Sequence, residues 1–248
     1  MLLDVDPFIF RIGAFGVRWY GLMVVVSIMT GLYYMLKHAR RLGFDEDHVY
    51  SVAVWAVVGG VIGARLIFVL TNLPTYMADP AAIFRVWEGG LAWHGALLGG
   101  LVAAYPVAGR NLYVLADLAV PGLSVGYILV RIANIFNQEV LGRTTELFFV
   151  RHPAQIYGSL IGLFLLILNL RLAKVPRPPG WLFWAFIFYY SILRGTVEET
   201  FRDNPLYLEV YVNEALGVGF FTLTQLVTPA LIVLAWLMMR RSYRAADL

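Results

Sequence analysis

Long apolar runs separated by short polar stretches dominate the pattern of hydrophobic and polar positions along the chain. Most runs approach the roughly 20 apolar residues that a helix needs to cross a bilayer. The runs cover about residues 17–36, 49–71, 91–108, 112–128, 153–170, 180–193 and 217–239. The pattern therefore predicts an all-α, polytopic membrane protein with about seven transmembrane helices. We expect residues 1–248 to form a single membrane-embedded domain.

Basic residues divide unequally between the two sides that alternating spans define. One side holds both lysines and a row of arginines: Lys37, Arg40, Arg41, Arg110, Arg171, Lys174, Arg177, Arg240, Arg241 and Arg244. Because such residues concentrate in short cytoplasmic loops, we expect the N-terminus outside and the C-terminus in the cytoplasm. Polar inserts at about residues 131–152 and 194–216 then lie on the outer face.

Composition narrows the class of protein further. The chain is 60% hydrophobic and only 14% charged, which excludes a soluble domain and a disordered one. It has no cysteine and four scattered histidines, so it offers no disulfide, no thiol nucleophile and no metal-ligand spacing. Basic residues lie on both faces, which argues against nucleic-acid binding. We expect no metal and no cofactor.

The outer side carries arginine as its only basic residue type. Arginine makes planar, bidentate contacts with phosphate. Arg65, Arg131 and Arg194 lie within or against apolar runs, where a charge is costly, and this predicts a functional role. The remaining arginines are equally compatible with snorkelling at span ends; they include Arg11, Arg18, Arg85 and Arg151.

The densest polar stretch runs from residue 131 to residue 143. Arg131, Asn134 and Asn137 are spaced three apart, so they share one face if the helix continues. Lipid cannot satisfy such a stripe, which must line a cavity or pair with another helix. A buried amide network that ties helices together is the structural alternative.

This stretch resembles the signature of the prolipoprotein diacylglyceryl transferases of the bacterial inner membrane. Arg131, Asn134, Asn137, Glu139 and Gly142 match that signature. Val130 and Ala133 stand where glycines are usual, and Ile135 stands in place of phenylalanine. These changes crowd the helix without removing a polar group.

Further motifs resemble the same family in the same order. They are Arg18-Trp19-Tyr20-Gly21, Gly63-Ala64-Arg65, Trp93-His94-Gly95, His152-Pro153-Ala154-Gln155-Ile156-Tyr157, and the Arg194 and Glu198 pair. Gly158 replaces the family's usual glutamate after the tyrosine, and Arg202 lies one residue further on than expected. The resemblance covers about residues 18–202, nearly the whole chain.

The resemblance implies a transferase of the bacterial inner membrane that spans the bilayer several times. It implies transfer of the diacylglyceryl group of phosphatidylglycerol to the lipobox cysteine of a prolipoprotein signal peptide. A thioether forms and glycerol-1-phosphate leaves. The implied partners are phosphatidylglycerol, that signal peptide and the membrane lipids, with no nucleic acid. Because the substrate brings the thiol, the chain itself needs no cysteine.

We expect His94, Tyr20, Arg131 and Arg194 to carry the reaction. The two arginines would hold the phosphate as charge grows on the departing oxygens. Neutral His94 would accept the thiol proton, although a histidine in a span is as often a helix–helix hydrogen-bond partner. Tyr20 is included on the resemblance, and an interfacial anchor is its alternative role.

We expect a second group of residues to bind substrate: Asn134, Asn137, Glu139, Gly142, Arg143, Glu198 and Arg65. The two asparagines would orient the glycerol. Glu139 and Glu198 would pair with arginines rather than act as bases. Arg143 either gates the site or is a surface charge, and His152 favours a structural role beside Pro153.

Two other functions stay open at this point. The altered glycines and the position of Arg202 are compatible with a divergent family member that uses another acceptor or none. A lipid-binding or transport protein is the second alternative, but no internal repeat is visible, and the polar residues cluster toward the outer face.

Overall fold

The computed structural model describes residues 6–12, 15–86, 89–147, 150–208 and 211–246. Its helices are α1 (Trp19–Arg41), α2 (Glu46–Thr71), α3 (Leu73–Ala78), α4 (Trp93–Ala108), α5 (Leu112–Phe136), α6 (Ala154–Leu172), α7 (Trp181–Leu193), α8 (Glu199–Phe201) and α9 (Leu223–Ala246). Two antiparallel hairpins accompany them: β1 (Phe8–Ile12) pairs with β2 (Phe15–Arg18), and β3 (Val212–Asn213) pairs with β4 (Val218–Gly219). The fold is helical as predicted, but the sequence analysis missed both hairpins.

Within the described residues, 5 helical segments are long and apolar enough to cross a membrane. The chain is therefore a multi-pass membrane protein. The number differs from the predicted seven for two reasons. Helix α7 has only 13 residues. Helices α4 and α5 are joined by one 3-10 turn, Gly109–Asn111, so that they form a single segment of 44 residues.

The chain divides into two compact units, Met1–Tyr34 with Ala116–Leu248, and Met35–Leu115. In the second of these, α2 and α4 pack antiparallel through small residues. A Cβ added to Gly63 would lie 2.8 Å from the Gly99 Cα, and one on Gly100 would lie 2.9 Å from the Ala56 carbonyl oxygen. Glycine is therefore required for this close approach of two membrane helices.

The first unit contains most of α1 and α5 together with α6, α7 and α9. Helix α1 runs antiparallel to α5, because Gly31 packs on Gly122 while the Trp19 ring stacks on Phe136 at 5.2 Å. Helix α6 is also antiparallel to α5, since Gly162 packs against Ile128 one turn away from the contact of Gly158 with Arg131.

Helices α5 and α7 run parallel. Asp117 on α5 accepts the backbone N–H groups of Gly180 and Phe183 at the start of α7, both at 2.7 Å. Further along, the Tyr127 and Tyr190 rings meet edge to face at 5.2 Å. Helix α9 returns antiparallel to α7. One end of this unit therefore collects the starts of α1, α6 and α9 and the ends of α5 and α7.

Both predicted polar inserts begin later than the sequence analysis placed them. Helix α5 continues to Phe136, so Arg131 and Asn134 are helical residues. Residues Arg194–Glu198 continue α7 as a π-helical turn that leads directly into α8. The polar residues extend the helices because they find partners on neighbouring helices rather than in solvent.

Candidate active site

Glu198 lies at the centre of a buried charge cluster in the first unit. Its side chain has no exposed surface, and its Oε1 atom lies 2.9 Å from Arg131 Nη2 and 3.3 Å from Arg194 Nη1. The Tyr127 hydroxyl donates to the second oxygen, Oε2. The Tyr127 oxygen also accepts Arg131 Nη2 at 3.3 Å. One carboxylate therefore fixes two guanidinium groups that come from different helices.

The π-helical turn brings a second carboxylate to Arg194. The Glu199 N–H bonds to the Arg194 carbonyl five residues back, which widens the turn. As a result Arg194 forms ion pairs with both Glu198 and Glu199. Glu199 is also fully buried, and Asn204 donates to its other oxygen. π-turns inside helices occur frequently at functional sites.

Arg202 adds a third guanidinium to the cluster and makes it electropositive. Burial and, after it, the charges of Arg194 and Arg131 lower the pKa of Arg202 to about 10. Counted without Glu139, which lies between Arg202 and Arg18 electrostatically, three arginines face the two carboxylates of Glu198 and Glu199, so these five groups carry one net positive charge. Such a site favours a ligand with one negative charge, as a phosphodiester has.

Gly158 on α6 makes room for the Arg131 side chain. A Cβ at position 158 would lie 2.7 Å from both Arg131 Cδ and Arg131 Nε. Arg131 Nε is buried and has no hydrogen-bond acceptor among the described residues. Gly158 is therefore needed for the Arg131 side chain to lie in its present position.

Asn134 and Asn137 lie at and beyond the end of α5. Asn134 is 3% exposed, and its carbonyl accepts the Glu139 N–H at 2.9 Å. Asn137 Nδ2 approaches Glu139 Oε1 at 3.5 Å, while its own N–H bonds to the Ala133 carbonyl at 3.1 Å. Ala133 is fully buried, so the methyl group that replaces the usual glycine is accommodated in the packing.

Glu139 connects this loop to α1 electrostatically. Loss of hydration raises the pKa of the Glu139 carboxyl above its ordinary 4.5. The hydrogen bond from Asn137 and the positive charges of Arg18 and Arg202 oppose that rise. Tyr20 lies close enough to feel the charges of Glu139 and Arg131. The first turn of α1 thus borders the same polar region.

The residues on either side of Glu139 adopt strained backbone conformations. Gln138 has φ of 54° and Val140 has φ of 58°, in the left-handed region that a β-branched residue avoids. Strain of this kind persists only where surrounding contacts enforce it, and it concentrates at functional sites.

Gly142 and Arg143 hold this loop against the end of α8. The Arg143 N–H donates to Phe201 O at 2.8 Å, and the Arg143 guanidinium donates to Asn204 O at 2.8 Å. A Cβ on Gly142 would overlap the backbone of His152. Both residues therefore position the loop, and Arg143 packs against Gly219 of β4.

His152 is buried and structural in its contacts. Its Nε2 lies 2.7 Å from Leu216 O and its Nδ1 lies 3.2 Å from the Tyr157 hydroxyl. The ring also packs on Phe201 at 4.6 Å. His152 therefore connects three segments: the loop at Arg143, the end of α8 at Phe201, and the loop at Leu216.

Arg65 and His94 belong to the other unit. Arg65 is 7% exposed, and its guanidinium donates to the carbonyls of Ile83 at 2.9 Å, Gly89 at 2.6 Å and Gly90 at 3.0 Å, and also to Ala82. These bonds occupy the guanidinium of Arg65 within the protein, so its contacts are those of a residue that holds backbone on both sides, at Ala82–Ile83 and at Gly89–Gly90. His94 is exposed in the first turn of α4, with its ring edge to face with Trp93 at 5.7 Å.

Sequence reasoning missed Tyr127 and Glu199 as members of the cluster. Tyr127 lies four residues before Arg131, the spacing that places both on one helix face, and this was the available signal. Nothing in the sequence signalled Glu199, because in a regular α-helix it would face away from Arg194.

Comparison with known proteins gives the family of the chain. The family model described as prolipoprotein diacylglyceryl transferase matches residues 7–241. A phosphatidylglycerol–prolipoprotein diacylglyceryl transferase of Thermoanaerobacter sp. (strain X514) is 50% identical over 241 residues, which cover 96% of this chain and 94% of the relative. The proteins of that name from Caldanaerobacter subterraneus and Thermus thermophilus are 48% and 36% identical, over 96% and 93% of this chain and 94% and 96% of their own lengths. The chain belongs to the prolipoprotein diacylglyceryl transferase family.

Proposed function

We propose that this chain transfers the diacylglyceryl group of phosphatidylglycerol to the lipobox cysteine of a prolipoprotein. The observation that carries the proposal is the buried pair of arginines, Arg131 and Arg194, held on Glu198 in a cluster with one net positive charge. The names of the relatives supply the donor lipid and the acceptor protein. The proposal includes a single membrane-embedded transferase domain over residues 1–248, and the family match over residues 7–241 supports it.

In the proposed reaction the thiolate sulfur attacks the phosphate-bearing carbon of the diacylglyceryl unit, not that of the glycerol headgroup. The carbon–sulfur bond forms as the carbon–oxygen bond breaks, and glycerol-1-phosphate leaves with the electron pair. Arg131 and Arg194 stabilise the charge on the departing phosphate oxygens. Asn134 and Asn137 orient the glycerol, Glu198 holds Arg131 and Arg194 in place, and Glu139 pairs electrostatically with Arg18 and Arg202.

A base must take the proton from the thiol. We keep His94 as the proposed acceptor because a neutral imidazole titrates near physiological pH. Tyr20 is proposed to assist this proton transfer, because its hydroxyl interacts electrostatically with Arg131 and Glu139. Gly142, Arg143 and the Arg65-held segment complete the proposed substrate-binding group by fixing loops rather than by direct charge.

The proposal includes seven spans in the bacterial inner membrane, with the N-terminus outside and the C-terminus cytoplasmic. A 44-residue helix would be about 66 Å long at 1.5 Å per residue, roughly twice the hydrocarbon core, which favours two spans that meet at Gly109. Helices α5 and α7 run parallel, and α6, which connects them in sequence, runs antiparallel to α5. This alternation of direction supports α7 as a further span.

The test is to incubate the purified protein with phosphatidylglycerol and a lipobox peptide. We expect the peptide to gain diacylglyceryl mass and an equal amount of glycerol-1-phosphate to appear. A peptide with serine in place of the cysteine is the acceptor control. Arg131→Ala and Arg194→Ala should abolish transfer while both proteins stay in the membrane.

Two results would change the proposal in different ways. Retained transfer in both arginine variants would refute the assigned roles. Lipid binding without any peptide modification would instead favour a divergent family member with another acceptor.

A further inference from the structure

The π-helical turn at Arg194–Glu198 requires something to hold it open. In a regular α-helix the Glu199 N–H would bond to the Gly195 carbonyl, but here it bonds to Arg194 O. In that regular helix, residue 199 would lie about 140° around the axis from residue 194. The contact between Glu199 and Arg194 therefore depends on the π-turn.

Gln225 donates a hydrogen bond to the Gly195 carbonyl from another helix. Its Nε2 atom lies 3.0 Å from Gly195 O and 3.3 Å from the Thr200 hydroxyl oxygen. Gly195 is buried and lets α9 approach, because a Cβ there would lie 2.9 Å from Thr228 Cγ2. The amide thus bonds to the carbonyl at the start of the π-turn and to a side chain just after it.

The other end of the same amide is fixed by a capping box at the start of α9. The Gln225 Oε1 atom accepts the Thr222 N–H at 3.1 Å, and the Gln225 N–H donates to Thr222 Oγ1 at 3.3 Å. Threonine at the N-cap and glutamine three residues later form this reciprocal arrangement. Gln225 is therefore oriented by α9 and aimed at α7.

We propose that Gln225 is a positioning residue for Arg194. By holding the Gly195 carbonyl it keeps the π-turn, and the π-turn keeps Glu199 on the Arg194 guanidinium. This inference rests on the proposed function for its link to phosphatidylglycerol. Gln225 itself bonds to Gly195 and Thr200 rather than to the lipid, and it acts on Arg194 through the π-turn.

The test separates the two ends of the Gln225 amide. Gln225→Glu keeps the acceptor of the capping box and loses the donor to Gly195 O. Thr222→Ala loses the cap and keeps that donor. We expect Gln225→Glu to raise KM for phosphatidylglycerol about five- to tenfold and also to lower the thermal midpoint, because the buried Gly195 carbonyl loses its donor. We expect Thr222→Ala to lower the midpoint by about 2–4 °C with KM unchanged.

A second readout keeps this test independent of catalysis. Retention of phosphatidylglycerol, measured by native mass spectrometry, should fall in Gln225→Glu and not in Thr222→Ala. If wild-type protein retains the lipid but modifies no peptide, the proposed function fails while the role of Gln225 is still judged on retention. Gln225→Met, which lacks both polar ends and adds no charge, should show the same rise in KM and the same fall in retention, with a lower midpoint because the capping box is also lost. Unchanged KM and unchanged lipid retention in the variant that accumulates would overturn the inference.

Discussion

Replacing Gly158 with alanine should displace Arg131 and reduce transfer. The added Cβ would lie 2.7 Å from Arg131 Cδ and Nε, where ordinary contact begins at 3.4 Å. The arginine stem must therefore move by about 0.7 Å, the difference between these two distances. It cannot move freely, because Glu198 and Tyr127 hold the guanidinium at its far end.

The size of the effect follows from that displacement. A misplacement of about 1 Å in a positioned group costs up to about 100-fold in rate. We therefore expect Gly158→Ala to lower kcat/KM for phosphatidylglycerol by about 10- to 100-fold. Bulk alone would be a sufficient cause, since alanine changes no charge.

The assay is peptide lipidation across a range of phosphatidylglycerol concentrations, with Gly162→Ala as the matched control. Gly162 lies one turn further along the same face of α6, and its added Cβ would lie 2.8 Å from Ile128 Cγ1 rather than near Arg131. The control should lose stability and keep KM. Equal losses in both variants, or full activity in Gly158→Ala, would refute the reasoning.

Three further perturbations test other parts of the structure. Glu198→Gln should lower transfer by at least about 100-fold and lower the thermal midpoint, because Arg131 and Arg194 lose a buried counter-charge whose removal costs about 3–5 kcal/mol; unchanged midpoint and rate would contradict the cluster. Arg65→Gln should speed cleavage by trypsin after Arg85, since Arg65 bonds to the backbone carbonyls of Ile83, Gly89 and Gly90; an unchanged rate of cleavage would contradict this role. The raised pKa of Glu139 favours the folded state at low pH, and this contribution disappears as pH rises through that pKa, above 4.5. Melting curves over pH should show this trend in wild type and lose it in Glu139→Gln; parallel curves would exclude it.

The sequence predicted the helical spans because membrane crossing imposes a simple rule on long apolar runs. It failed at the boundaries that matter for the site. Arg131 and Asn134 read as the start of a polar insert, yet they are the last turns of α5, since Glu198 and Tyr127 satisfy the arginine inside the protein. Polarity alone could not distinguish a loop from a helix whose partner lies on α7.

The candidate site was only partly visible in the sequence for a related reason. The four-residue spacing of Arg194 and Glu198 places them on one helical face. The approach of Glu199 depends on a π-turn, which depends in turn on Gln225 from another helix. In the sequence Gly158 is only a departure from a motif, whereas in the structure it makes room for Arg131. Contacts between distant segments decide these features, and local pattern does not record them.

The order in which the cluster's residues are synthesised has a consequence for biogenesis. Arg131 emerges from the ribosome well before Glu198, and at about 5–20 residues per second the interval is several seconds. During that time the arginine enters the membrane region without its carboxylate. Because Arg131 lies near the end of α5, its long side chain can reach the headgroup layer until Glu198 is available. The cluster closes only when Glu198 has been synthesised and α7 packs beside α5, so this packing is the step that commits Arg131 to the protein interior.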